Sequence, residues 1–251
     1  MFRKWFHLIL FVKDHEGYKM RTLIGIALLG GLFLLVFFAG LKAPVYAKGS
    51  GESVAAPAVA PKPLLGKKIV FVIAPDKFRD EELFETKERL EKMGAKTRVV
   101  STTTKTITGM LGEKVKPDGL LNSVNPDSFD AIVFVGGVGV MALWDNEEAQ
   151  ALAKKFYNKK KIVAAICLAP VILANAGLLD GVKATVFRSA KKKLMAKGAE
   201  YVNKKVVRSG RIITANGPSA IPEFVAKIRE ALMENVKSKS PGTVAPATPM
   251  K

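Results

Sequence analysis

Cys167 is the one cysteine of this 251-residue chain, and it stands where an apolar run gives way to a helix-like segment. The run Ile162 to Ile166 (IVAAI) has the character of a buried strand. Cys167-Leu168-Ala169-Pro170 follows, then Val171 to Ala176, closed by Gly177. A side chain at such a strand-to-helix corner is held at the carboxyl edge of a sheet. There the free N–H groups of the next helix favour a thiolate, and open α/β sheets usually bind their ligands at that edge. The chemistry available is therefore that of sulfur, as a nucleophile or as a redox centre. The chain's two histidines, His7 and His15, both precede the apolar stretch Leu23 to Leu41, and none follows it. A Cys–His dyad, a Ser–His–acid triad and a histidine-rich zinc site are all excluded from the domain that holds Cys167.

The elements that must position this cysteine follow from the alternation of apolar runs and amphipathic stretches. Strands are predicted at Lys68–Ala74, Thr97–Ser101, Ala131–Val135, Ile162–Ile166, Ala184–Phe187 and Ile212–Ala215. Helices are predicted at Glu81–Met93, Glu147–Tyr157, Val171–Ala176, Ala190–Lys197 and Pro222–Val236. Val206–Arg208 and Arg211–Thr214, joined by Ser209-Gly210, read as a hairpin. Strand and helix in repeated order imply a mostly parallel sheet covered on both faces. Thr102–Leu121 reads as loop.

Leu23 to Leu41 carries no charge and has about the length that crosses a bilayer. Arg3, Lys4, Lys13, Lys19 and Arg21 precede it, which keeps the amino end cytoplasmic and sends the rest across. The segment is then either an uncleaved anchor or a signal sequence cut after Ala47, where Val45-Tyr46-Ala47 offers small residues at the favoured positions. Either way the domain is expected on the extracytoplasmic side. The expected organisation is a cytoplasmic segment 1–22, the transmembrane or signal helix 23–41, a Gly/Ser/Ala/Pro linker 42–66, an α/β domain 67–237 and a disordered tail 238–251. A lone cysteine gives no internal disulfide outside the cytoplasm, so the fold must be stable without one.

The formal net charge is +18, of which the segment to Lys48 holds seven Lys/Arg against two acids. Lysines cluster at 159–161, 191–193 and 204–205. Such a surface suits anionic lipid or cell-envelope polymer, or is simply solvated. Nucleic acid is not an expected partner, because no aromatic residues interleave with these lysines.

Several segments together resemble the DJ-1/PfpI family of the class I glutamine amidotransferase-like superfamily. They are Ile69–Ala74 with Phe78-Arg79-Asp80-Glu81-Glu82-Leu83, the glycine loop Asp130 to Gly139, the elbow Ala164 to Pro170, Gly177-Leu178-Leu179-Asp180-Gly181, and Ile213 to Pro218. The resemblance covers roughly residues 67–236 and implies a flavodoxin-like three-layer sandwich and a possible homodimer. It implies that Cys167 is the reactive elbow cysteine and that Glu82 hydrogen-bonds its sulfur. It also implies that Gly137 and the backbone of Leu168 supply oxyanion donors. The sequence departs from the protease-like members, whose elbow has histidine after the cysteine, because Leu168 stands there. Other members place a histidine in the segment that here reads Thr185-Val186-Phe187-Arg188-Ser189. Peptidase and glutaminase chemistry are therefore disfavoured, and no cofactor or metal is expected.

Each of these residues also has a plain structural reading. Glu82 lies in the first turn of a helix, where acids favour the dipole, and Asp80 could cap it. Gly136-Gly137-Val138-Gly139 could be only a tight turn. Asn216-Gly217-Pro218 is a turn before the last helix, with Asn216 a candidate for the pocket wall. If the Cys–Glu pair acts, a protonated Glu82 would donate to the sulfur, lower the thiol's pKa and raise its own. The thiolate would attack a small carbonyl such as methylglyoxal while Glu82 moves protons, which is the logic of the family's glyoxalase and deglycase activities. The alternative is a non-enzymatic, redox-sensing or protein-protective module that works through oxidation of Cys167.

Overall fold

The computed structural model describes residues 62–237. In the amino-terminal unit it also gives two short strands, Val12–Asp14 and Gly17–Lys19, paired antiparallel. The expected membrane or signal helix, most of the linker and the tail lie outside the described residues. Among those described, no helix is long and apolar enough to cross a membrane.

The domain is built on a seven-stranded sheet. Its strands are β1 (Lys68–Val72), β2 (Lys96–Ser101), β5 (Gly119–Leu120), β6 (Ala131–Phe134), β7 (Ile162–Ile166), β10 (Val206–Ser209) and β11 (Ile212–Ala215). Their spatial order is β10-β11-β7-β6-β1-β2-β5, parallel throughout except for the terminal β10–β11 hairpin. Every residue of β6, β7 and β11 is buried. That burial is why these strands read as unbroken apolar runs and not as alternating ones. Helices α1 (Asp80–Lys92) and α5 (Ile221–Lys237) pack on each other over one face, and α2 (Glu147–Asn158) and α3 (Pro170–Asn175) over the other. Pro170 opens α3 at the first helical position, where its missing N–H is no loss.

The chain runs outward from β1 through β2 to β5 and then returns to β6 on β1's other side. A crevice results outside the carboxyl ends of β1 and β6, the place where open α/β sheets take ligands. The register brings Val72, Phe134, Ile166 and Ala215 to that same edge, so the turn after Ile166 opens beside it.

Two predicted features differ. The segment Ala184–Phe187 is not a strand of the main sheet. Only β8 (Lys183–Ala184) is paired, with β9 (Glu200–Tyr201) in a separate two-stranded ladder. Beyond it the backbone donors are taken elsewhere, Thr185 N–H by Thr214 Oγ1 at 2.9 Å and Phe187 N–H by the Cys167 carbonyl at 2.8 Å. The supposed loop Thr102–Leu121 holds a small hairpin of β3 (Ile107–Thr108) and β4 (Lys114–Val115), as well as edge strand β5. Strands of two residues are too short to show a period.

Candidate active site

Cys167 follows β7 with φ at +64°, one of three non-glycine residues with positive φ among those described. A left-handed non-glycine conformation costs on the order of 1–2 kcal/mol, and the surrounding bonds enforce it. Cys167 N–H donates to the Ala215 carbonyl at 2.9 Å, and its own carbonyl accepts from Phe187 N–H at 2.8 Å. The next residue is fixed as well, because Trp144 Nε1–H donates to the Leu168 carbonyl at 3.0 Å. The side chain is thereby turned toward the glycine loop after β6. There the backbone N–H groups of Gly137 and Leu168 lie beside the sulfur and favour its ionised form.

Glu82 reaches the same spot from α1. Its burial is complete although it is an acid in a helix's first turn. Oε2 accepts from Gly136 N–H at 3.0 Å, while Oε1 is buried and has no nitrogen or oxygen donor. Gly136 packs against both functional groups. A Cβ there would stand 2.5 Å from Cys167 Cβ and 2.6 Å from Glu82 Oε2, so not even a methyl fits. Gly137, at φ +101°, is equally constrained, since a Cβ would press on Arg79 N and Lys77 O at 2.5 Å each. The glycine loop is therefore more than a tight turn: its backbone fills the space where the acid and the thiol meet.

Burial dominates the electrostatics. It pushes the Glu82 carboxyl up to about 7, against the hydrogen bonds from Cys167 and Gly136 that favour ionisation. Burial, followed by the negative charge of Glu82, pushes the Cys167 thiol up to about 12, against the Gly137 and Leu168 N–H groups. The thiol is thus not lowered, as expected from the sequence, but raised. The expectation rested on a protonated acid donating to the sulfur, whereas Cys167 is only 7% exposed and desolvation outweighs that help. Two acids this close titrate as a unit. Between those two values the pair holds one proton and one negative charge. The order of the two values puts that charge on Glu82 and the proton on sulfur; passing the proton to the carboxyl gives a thiolate beside the two backbone N–H groups.

The sulfur opens on a cavity of about 240 Å³, walled by Met110, Val138, Leu168, Phe187 and Pro218, with Arg79 as its one charged side chain. Met110 Sδ accepts from Val138 N–H at 3.4 Å. Pro218, and not Asn216, lines the wall. Asp80 does not cap α1. Its buried carboxylate accepts from Leu111 N–H at 2.8 Å and Glu113 N–H at 2.9 Å, which clamps the loop that carries Met110. The N-cap position is Arg79, whose side chain makes no capping bond.

All four residues singled out from the sequence, Cys167, Glu82, Gly137 and Leu168, thus lie together. Sequence reasoning missed Arg79, Met110, Phe187 and Trp144. For Glu82 a signal existed, since it shares the buried stripe of α1 with Thr86 and Leu90 at four-residue spacing. No comparable signal marks Met110 or Phe187. Among the described residues no cluster of three or more His, Cys, Asp or Glu side chains could hold a metal ion.

Fold and site define a three-layer α/β protein with a strained cysteine elbow against a buried acid. The chain belongs to the DJ-1/PfpI family, which matches residues 67–231. Uncharacterized protein MJ0967 of Methanocaldococcus jannaschii is 46% identical over 171 residues, 67% of this chain and 83% of that one. Deglycase PH1704 of Pyrococcus horikoshii is 36% identical over 152 residues, 61% of this chain and 91% of that one. Among solved structures, a ThiJ/PfpI domain protein from Brachyspira murdochii superposes with a TM-score of 0.66 at 39% identity, covering 67% of this chain and 99% of the other.

Proposed function

We propose that this protein is a Cys167- and Glu82-dependent enzyme of the glyoxalase or deglycase type that acts on small reactive carbonyls. The observation that carries the reading is the fully buried Glu82 carboxyl, with one donor-less oxygen, set against Cys167 at the mouth of a small apolar cavity. The deglycase name of a relative supports it. Thiolate attack on the aldehyde carbon of a 2-oxoaldehyde forms the C–S bond and sends the carbonyl electrons to oxygen. Gly137 and Leu168 N–H groups, which meet the sulfur in the free protein, lie beside that oxygen; donors of this kind contribute about 10²–10³ in rate. Glu82, carrying the proton released by the thiol, gives it to that oxygen; as a carboxylate it then moves the proton of the former aldehyde carbon to the neighbouring carbon while the hydroxyl proton passes to the second carbonyl oxygen, leaving a 2-hydroxy thioester. Water cleaves it to the 2-hydroxy acid and regenerates the thiol. One carbon is oxidised, its neighbour is reduced, and no outside electron carrier takes part.

The domain is proposed to work outside the cytoplasm, held by the Leu23–Leu41 segment, and to assemble as a homodimer. Lactate release from methylglyoxal tests the chemistry. It is expected to vanish in Cys167→Ser and to fall at least a hundredfold in Glu82→Gln, and undiminished turnover by the serine variant refutes the proposal. A second reading, redox sensing without turnover, is favoured by the absence of any histidine after His15. It requires oxygen addition at Cys167 under low peroxide, read by intact mass, in a protein that releases no lactate.

A further inference from the structure

We infer that Arg79 selects carbonyl substrates that carry a carboxylate, an inference that rests on the carbonyl reading above. Arg79 is the one charged side chain lining the Cys167 cavity, and its guanidinium feels the charges of both Glu82 and Cys167. Its position is poor for the fold. It occupies the N-cap of α1 without a capping bond and places a cation at the positive end of the helix dipole, where anions are favoured. The pinning of the side chain explains what it does instead. Nε–H donates to Glu81 Oε2 at 2.7 Å, and Nη2–H donates to Glu81 Oε1 at 2.9 Å. Glu81 lines a separate acidic depression beside Phe84, Leu111 and Glu113, and not the Cys167 cavity. The acid thus holds the guanidinium by one edge from behind.

A guanidinium has five N–H donors. The two spent on Glu81 leave Nη1 and the outer hydrogen of Nη2 without a partner in the described residues, and those two groups form the second fork, which fits a carboxylate end-on. The side chain is 30% exposed, so the fork is accessible. The cavity, at about 240 Å³, is smaller than the roughly 300–1,000 Å³ of sites for drug-sized ligands. Its ligand is therefore a small acid and not a polymer. The one fork left free matches one carboxylate. A phosphate monoester, with a charge of about −1.5 to −2, would leave excess negative charge beside the Cys167–Glu82 pair, whose single charge the backbone N–H groups already meet. The substrate class is thus a short aldehyde or 2-oxoaldehyde bearing a carboxylate beyond the reacting carbonyl.

Two alkylating reagents of nearly equal shape test this without any turnover: iodoacetate, which carries a carboxylate, and iodoacetamide, which does not. Cys167 is the only cysteine of the full chain, so the rate of mass increase reports that sulfur alone. The ratio of the two rates cancels the thiolate fraction. The iodoacetate-to-iodoacetamide ratio is expected to exceed that of a free small thiol and to fall about tenfold in Arg79→Gln, as loss of a charge-assisted pair requires. A ratio in Arg79→Gln within twofold of the unaltered protein overturns the inference. The readout holds even if no carbonyl compound is turned over, so failure of the enzymatic reading and failure of this one are distinguishable.

Discussion

Replacing Glu82 by glutamine isolates what its burial does to stability. The amide keeps the side chain's shape and an oxygen to accept Gly136 N–H, bonded at 3.0 Å in the native protein, but it cannot ionise. The native carboxyl titrates at about 7 against an ordinary 4.5. Below the ordinary value both folded and unfolded chains hold the proton, and the native state carries no penalty. As pH rises the unfolded chain releases its proton while the folded one retains it. Stability is therefore lost steadily until the folded group ionises near 7, and is flat beyond until the thiol begins to titrate. At about 1.36 kcal/mol per pKa unit, the loss between pH 4.5 and pH 8 is about 3 kcal/mol. Urea unfolding of the protein and of Glu82→Gln at both pH values gives the quantity directly. The native protein should weaken by about 3 kcal/mol more than the variant over this interval, and groups common to the two that do not interact with Glu82 cancel in the comparison. A difference of differences below about 0.5 kcal/mol, or of opposite sign, would show that the carboxyl is solvated and would remove the premise that it holds a proton for the sulfur. The expected outcome also implies that Glu82→Gln is the more stable protein at pH 8 and the less active one.

Gly136→Ala places a methyl 2.5 Å from Cys167 Cβ and 2.6 Å from Glu82 Oε2. It should lower stability by about 1–3 kcal/mol and reduce lactate release more than tenfold, checked by melting and turnover; retained activity would mean the pair need not be in contact. Asp80→Ala removes the bonds to Leu111 and Glu113 N–H. Amide exchange across residues 109–113 should quicken at least tenfold, beyond any change in the central strands, because bonds to a charged acceptor are worth about 1.5–3 kcal/mol. Exchange rates equal to the native ones would show that the loop is held by other contacts.

Much of this protein was legible because its strands are buried on both faces. Ile162–Ile166 and Ala131–Phe134 appear as continuous apolar runs only in a parallel sheet covered by helices, and the turn that ends such a run put Cys167 at the ligand-binding edge. The absence of any imidazole after His15, and with it the loss of whole classes of catalysis, also needed no coordinates. Tertiary structure decided what composition and spacing cannot carry. It put Glu82 against a sulfur 85 positions away in the chain, gave Arg79 a face in the cavity, set Asp80 to clamping a loop in place of capping a helix, and drew Phe187 out of the sheet. It also reversed the expected direction of the thiol's shift. Burial is a sum over neighbours brought from every part of the chain, and desolvation by those neighbours outweighs the N–H groups of Leu168 in the elbow and Gly137 in the glycine loop.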